Sequence, residues 1–221
     1  MALYFPETVT ERNDRLIGTD ESGKGDYFGP LVVAAVLWDD RVAETLAGLR
    51  IRDSKLLSDR RVAELAQEIV RTTRHAVVTI GPEKYNELIA RMKNLNRLLA
   101  WGHARAIENV LATNTCSRAV SDQFGDEKFL KKALLEKGRQ IELLQKPKAE
   151  VEPAVAAASV LARANFLHHL KTLSERAQLP LPKGAGPPVD QAARTLVEKW
   201  GKEALGQFAK LHFKNTARIF S

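Results

Sequence analysis

The chain has 221 residues, 44% of them hydrophobic, and a formal net charge of +7. That length and apolar content suit one large domain with a sizeable core, and no apolar run reaches the roughly 18 residues of a membrane span. Met1-Ala2-Leu3-Tyr4-Phe5-Pro6 lacks the basic start and apolar stretch of a signal peptide, and the single cysteine, Cys116, excludes an intramolecular disulfide and a multi-cysteine zinc site. Together these features point to a cytoplasmic protein.

The charge is uneven. Residues 128–221 carry 17 Lys+Arg against 8 Asp+Glu, a net of +9, which leaves −2 for the first 127. A near-neutral front half and a basic back half suit a polyanionic substrate.

Residues 1–14 read as a short lead-in to a domain over 15–221. Ile17 leads straight into Asp20-Glu21, a turn follows at Gly23-Lys24-Gly25, and Leu31-Val32-Val33-Ala34-Ala35-Val36-Leu37-Trp38 is a second apolar run. This is the pattern of strand (15–20), tight turn and strand (30–38). Asp53-Ser54-Lys55 lies in a polar loop, with Asp53 as a turn-capping acid. Val62, Leu65, Ala66 and Ile69 recur at helical spacing within 59–72. The β-branched run 75–80 is a third strand, stopped by Gly81-Pro82. Helices follow at 82–91 and 94–112. Residues 118–122 form a short buried strand ending in Asp122. A helix at 126–137 is ended by Gly138, and 140–145 is a fifth strand. Pro153 opens a long Ala-rich helix, a position where its missing N–H costs little. A Pro/Gly-rich loop spans 179–188, and two basic helices, about 189–201 and 202–211, finish the chain. Trp101, Phe166, Trp200 and Phe208 are expected in the core.

Strands early, then strand–helix–strand, then helices, indicate a mixed α/β layer fold, in which chemistry collects at strand ends. Asp20-Glu21 ends one strand and Asp122 another, while Glu150 and Glu152 precede the long helix, whose electropositive start favours an ionised acid. With no histidine or cysteine partner, this set of hard oxygens suits Mg²⁺ or Mn²⁺. Gly18 to Lys24 mimics a phosphate-binding P-loop, but Gly25 stands where the motif needs a hydroxyl. Asp20 and Glu21 would also repel a triphosphate, which argues against a nucleotide triphosphatase.

Gly18-Thr19-Asp20-Glu21-Ser22-Gly23-Lys24-Gly25-Asp26-Tyr27-Phe28-Gly29-Pro30 resembles the signature of the type 2 ribonucleases H, and its Asp-Tyr-Phe-Gly-Pro part resembles ribonuclease HIII. The resemblance continues in Asp53-Ser54-Lys55-Leu56-Leu57, Tyr85-Asn86, the stretch from Asn94 to His103, Ser121-Asp122-Gln123-Phe124 and Lys148-Ala149-Glu150. It extends to the tail at Leu181–Gly186 and Ala209–Thr216 and covers nearly everything from Ile17 on. It implies a ribonuclease H-like fold, with a mixed five-stranded sheet flanked by helices and a helical C-terminal extension. It also implies endonucleolytic cleavage of the RNA strand of RNA–DNA hybrids, leaving 5′-phosphate and 3′-hydroxyl ends. By motif matching, Asp20, Glu21, Asp122 and Glu150 are the catalytic, metal-holding acids for one or two Mg²⁺ or Mn²⁺ ions, with Asp20 the bridging ligand of a pair. The segment between Glu150 and Ser159 is one residue shorter than in the family. Glu152 is therefore an alternative fourth acid, with Glu150 favoured because Lys148-Ala149 precedes it. Family members usually carry an N-terminal substrate-binding domain, whereas sixteen residues precede Ile17 here, so hybrid binding is expected to fall to the basic C-terminal half.

Substrate contacts are expected from Gly23, Lys24 and Gly25, where glycines admit a close backbone approach, and from Ser54 and Lys55 as phosphate partners. Further contacts are expected from Asn94, Asn96, His103 and Lys183, with Lys210, His212 and Lys214 against the DNA strand. For Asn94, Asn96 and His103 a structural hydrogen bond is an equal reading. Lysine at position 24 is a point-like donor without the planar fork of arginine, which favours ribonucleotide runs over a lone ribonucleotide. The chain is expected to be a monomer. The rival readings are a junction ribonuclease that excises single ribonucleotides, a catalytically silent hybrid-binding protein and a structure-selective deoxyribonuclease.

Overall fold

The computed structural model describes residues 15–49, 51 and 54–220, with the Leu56 side chain outside that description. The lead-in 1–14 and Asp53 lie outside the described residues. Five strands make one mixed sheet: β1 (Leu16–Ser22), β2 (Leu31–Trp38), β3 (Arg74–Ile80), β4 (Arg118–Asp122) and β5 (Glu142–Lys146). Their order is β3-β2-β1-β4-β5; the first three are antiparallel, and β4 and β5 run parallel to β1. The central strand β2 is buried on both faces, as its continuous apolar sequence requires, and β1 is buried over residues 17–20 despite its polar end.

One face of the sheet carries α6 (Pro153–Ala177) and α2 (Asp59–Thr72), and the other carries α4 (Leu95–Leu111) with α5 (Glu127–Ala133). The helix α3 (Pro82–Met92) closes the open end of β3. Pro82 and Pro153 both stand in the first turn of their helices. Among the described residues no helix is long and apolar enough to cross a membrane.

Several expected boundaries move. The short helix α1 (Asp40–Leu46), capped by the Asp39 carboxylate on Val42 N at 3.0 Å, was not anticipated. It has too few turns to show a period. The helix α5 stops at Ala133 rather than at Gly138, because Leu134 turns inward to join the core against α4. Gly138 instead donates its N–H to Glu108 Oε1 at 2.7 Å, in a short 3₁₀ turn. The helix α7 (Pro187–Trp200) starts two residues early, at its paired prolines. The expected helix over 202–211 is only a 3₁₀ turn over Lys202–Gln207, after which the chain leaves the helical path so that Ala209 pairs with Phe28. A last helix, α8 (Lys214–Phe220), was also missed. Trp200 is not core: it is 45% exposed and donates Nε1–H to Ala177 O at 2.9 Å. Trp101 lies half-buried at the margin of the α3–α4 cluster, whereas Phe166 and Phe208 are buried as expected.

A close backbone contact joins β1 to the start of α6. A Cβ placed on Gly18 would lie 2.2 Å from the Ala154 carbonyl carbon and 2.3 Å from Val155 N. Two backbones therefore touch where only a hydrogen fits. Gly18→Ala is expected to destabilise the protein by about 3 kcal/mol, the upper end for overpacking of a core. Urea unfolding measures this as a lower midpoint with an unchanged m-value.

Candidate active site

Asp20 and Glu21 leave the C-terminal end of β1 on opposite faces, as successive strand residues must. Glu21 points toward α4, where its Oε2 lies 3.2 Å from His103 Nε2, while its Oε1 accepts from Lys24 Nζ at 3.3 Å. His103 is fully buried, hydrogen-bonded through Nδ1 to Thr19 Oγ1 and stacked on Phe124. Asp20 points toward α6, accepts from the Glu21 N–H at 2.8 Å and bonds Ser159. The β1–β4 register pairs Thr19 with Ser121, so Asp122 stands beside Asp20 one step further along the neighbouring strand. Asp122 Oδ1 accepts from Ala149 N at 3.2 Å, which fastens the Glu150 segment to the same strand end.

These acids open onto a cleft of about 440 Å³. Asp20, Glu21 and Asp122 line its floor, and Lys24, Lys55, Arg163 and Lys183 line its walls. Burial pushes the Asp20 carboxyl pKa up, the adjacent Glu21 charge adds to this, and the Ser159 hydrogen bond and Lys55 charge oppose it only in part. Burial also acts to raise Glu21, but the hydrogen bond and charge of His103, with those of Lys24, outweigh it and hold its pKa low. The pair is thus split, with one carboxyl reluctant to ionise and its neighbour firmly ionised.

Among the described residues, no three His, Cys, Asp or Glu side chains converge closely enough to hold an ion as they stand. The donors nevertheless suit a hard divalent cation: three carboxylates at two adjacent strand ends, one of them a desolvated acid next to another anion. Glu150 is half-buried in a 3₁₀ turn (Ala149–Val151), outside the cleft lining. Glu152 is engaged elsewhere, accepting from Lys146 Nζ at 3.1 Å.

Gly23, Lys24, Gly25, Ser54, Lys55 and Lys183 all line the cleft. Ser54 is buried, with its Oγ 2.7 Å from Ser159 Oγ. Asn94 is committed to capping α4, accepting from Arg97 N at 3.2 Å, and does not line the cleft. Asn96 also lies off its lining, packed against Gly125. Lys210 corrects the expectation of a surface cation. It is 0% exposed, and its pKa is lowered to about 7, with burial pulling it down and the Asp26 charge opposing. His212 is placed against the Tyr85 ring, and neither it nor Lys214 reaches the cleft. Arg163 and Ser159 were missed. They are four apart on α6, and with Phe166 and Leu167 they form one helical face on the cleft. The signal was hidden because the start of α6 is buried on nearly every side. Arg163 donates to Ser54 O and, at 2.8 Å, to Asp59 Oδ1, while Lys183 Nζ donates to Asp59 Oδ2 at 2.7 Å. Burial acts to raise Asp59, and these two cations outweigh it and lower its pKa.

A family model described as ribonuclease HII matches residues 17–216. The chain belongs to the type 2 ribonuclease H family. Within that family it stands with the ribonuclease HIII proteins. Ribonuclease HIII of Protochlamydia amoebophila is 45% identical over 203 residues, which is 92% of this chain and 67% of the relative. Ribonuclease HIII of Chlamydia abortus is 46% identical over 224 residues, covering 98% and 74%. The crystal structure of Bst-RNase HIII in complex with Mn²⁺ superposes with a TM-score of 0.86 at 36% identity, covering 93% of this chain and 69% of that one. The five-stranded ribonuclease H-like fold implied by the motifs is the fold observed.

A buried acid raised by desolvation and by a like charge costs the metal-free enzyme stability wherever it is ionised. In Asp20 the folded-state pKa is the higher one, so the folded protein binds the extra proton and loses stability as pH rises through it. Asp20→Asn is therefore expected to raise the Tm of the chelator-treated protein by about 3 °C near pH 8, roughly 1 kcal/mol. The gain should shrink as pH falls through about 7 toward 5, as wild-type Asp20 takes up its own proton. Thermal melts in EDTA at both pH values measure it.

Proposed function

We propose that this cleft hydrolyses the RNA strand of RNA–DNA hybrids, leaving 5′-phosphate and 3′-hydroxyl ends, with Asp20, Glu21, Asp122 and Glu150 holding Mg²⁺ or Mn²⁺. The observation that carries this reading is the arrangement of three carboxylates, at the adjacent ends of β1 and β4, on the floor of a cleft walled by four cations. Membership of the type 2 ribonuclease H family and the Mn²⁺ complex of Bst-RNase HIII support it. Glu150 is preferred to Glu152 because its neighbour Ala149 bonds Asp122 whereas Glu152 is paired with Lys146. Bound divalent ions would supply an activated water and stabilise charge on the leaving 3′-oxygen.

The chain's own groups perform the rest. Thr19 and His103 hold the Glu21 carboxylate in one orientation, and Lys24 bridges it to the turn that meets the nucleic acid. Ser159 orients Asp20 from the other face. Arg163, fixed on Ser54 and Asp59, and Lys183, fixed on Asp59, present positive charge to the strand's phosphates. Gly23, Lys24 and Gly25 bring backbone and one ammonium to the ribose edge, where the 2′-hydroxyl separates RNA from DNA. We read the protein as a cytoplasmic monomer. Its single cysteine, Cys116, is buried and unpaired with any other thiol, and its exposed large apolar side chains are spread over separate elements.

Three labelled duplexes test the reading with Mg²⁺ and with Mn²⁺: an RNA–DNA hybrid, a DNA duplex carrying four ribonucleotides, and one carrying a single ribonucleotide. Cleavage of the first two with the third spared is the expected result. Efficient cutting 5′ to the lone ribonucleotide would instead assign junction recognition, and hybrid binding without any cutting would assign a silent binding protein. Asp20→Asn should lower hybrid cleavage by at least about a thousandfold while Kd for the hybrid changes little. Wild-type Kd should weaken about tenfold or more between roughly 50 and 200 mM salt, as several phosphate contacts require.

A further inference from the structure

Lys210 is buried directly behind the turn that carries Lys24. Its Nζ donates to the carbonyl oxygens of Asp26 at 2.7 Å, Gly29 at 2.7 Å and Phe28 at 3.4 Å. An ammonium has three N–H donors and no acceptor, and here three main-chain acceptors from one four-residue stretch converge on it. The backbone repeats the attachment. Lys210 N donates to Tyr27 O at 2.8 Å, and Gly29 N donates to Phe208 O at 3.0 Å. A second strap comes from the loop before α7. Gly184 N donates to the Asp26 carboxylate at 2.6 Å, and Tyr27 N donates to Gly184 O at 2.8 Å.

The held segment is not regular structure. Gly23 and Gly29 both take a φ of +85°, and a Cβ on Gly23 would lie 2.1 Å from Pro30 O. In this turn Tyr27 O is taken by Lys210 N across the bridge that pairs Phe28 with Ala209, and the carbonyls of Asp26, Phe28 and Gly29 are gathered by Lys210 Nζ. A buried lysine is an expensive way to fill space, since an apolar side chain would pack without desolvating a charge. Its value lies in fixing where those carbonyls sit.

We propose that Lys210, together with the Asp26 carboxylate, is a positioning device for substrate. It gathers the Asp26–Gly29 main chain from behind, and so sets where Gly23-Lys24-Gly25 meets the nucleic-acid strand. The inference rests on the reading of that turn as a substrate contact. It explains why the turn's own basic residue and Lys183, the neighbour of Gly184, both reach one cleft from segments about 160 residues apart.

A double-mutant cycle of Lys24→Ala and Lys210→Met in the full chain tests it, with kcat and KM on an RNA–DNA hybrid and a thermal melt for every variant. K210M alone is expected to raise KM about tenfold with kcat within about threefold. In the K24A background the same change should raise KM by less than about twofold, because the contact that Lys210 positions is already gone. An equal rise in both backgrounds, or a lowered Tm with unchanged KM, would overturn the inference while leaving the function of the turn intact. Wild-type KM in K24A alone would instead overturn the reading of the turn, and the inference with it. If K210M shows no cooperative melt, Asp26→Ala replaces it in the same cycle under the same two criteria. That change cuts the Gly184 strap from a half-buried side chain.

Discussion

The parallel register of β1 with β4 is the constraint on which the candidate site depends. Thr19 opposite Ser121 leaves Asp20 and Asp122 side by side where both strands end. A slip of one residue would turn one of the two carboxylates to the opposite face of the sheet. Parallel neighbours cannot be joined by a tight turn, and here nearly a hundred residues of antiparallel strands and helices lie between β1 and β4. The register is secured from both faces by burial. Gly18 admits the α6 backbone on one side, and Ile17 and Ala119 enter the α4 cluster on the other.

That frame lets two adjacent carboxylates have different fates. Strand alternation sends Glu21 to α4, where His103 and Lys24 favour its charge, and Asp20 to α6, where burial opposes it. An isolated Asp-Glu pair on a solvated hairpin would have no such asymmetry. The difference arises from which helix each acid faces, and the stored cost at Asp20 is the kind of local instability that binding sites retain for function.

The elements with a clear period were legible in the sequence. The β-branched runs of β2 and β3, the apolar stripe of α2 and the proline that opens α6 all appear where the residues point. The acids at the ends of β1 and β4 were legible because an acid that closes an apolar run has few structural reasons to be there. What stayed hidden was set by tertiary contact. Leu134 cuts α5 short because burial against α4 outweighs its helical preference. Residues 208–210 leave the helix because pairing with Phe28 and three loop carbonyls gives them better partners than an α-turn would. Ser159 and Arg163 escaped because a helix buried on nearly all sides shows no polar face in its sequence.

The charge count misleads for the same reason. The surplus of positive charge in residues 128–221 suggests a continuous basic tail, but much of it closes the fold. Lys137 caps the end of α4 on the carbonyls of Leu111 and Ala112, Arg218 binds Asp190, and Lys210 is sealed beneath Tyr85 and the loop carbonyls. Of the same surplus, Arg163 and Lys183 face the cleft, and both are held there by Asp59, an acid from the front half of the chain. Within this basic half, positive charge reaches the cleft where Asp59 holds it, whereas Lys24, from the front half, is paired there with Glu21. Net charge suits a polyanionic partner, but the ion pairs decide which face presents that charge.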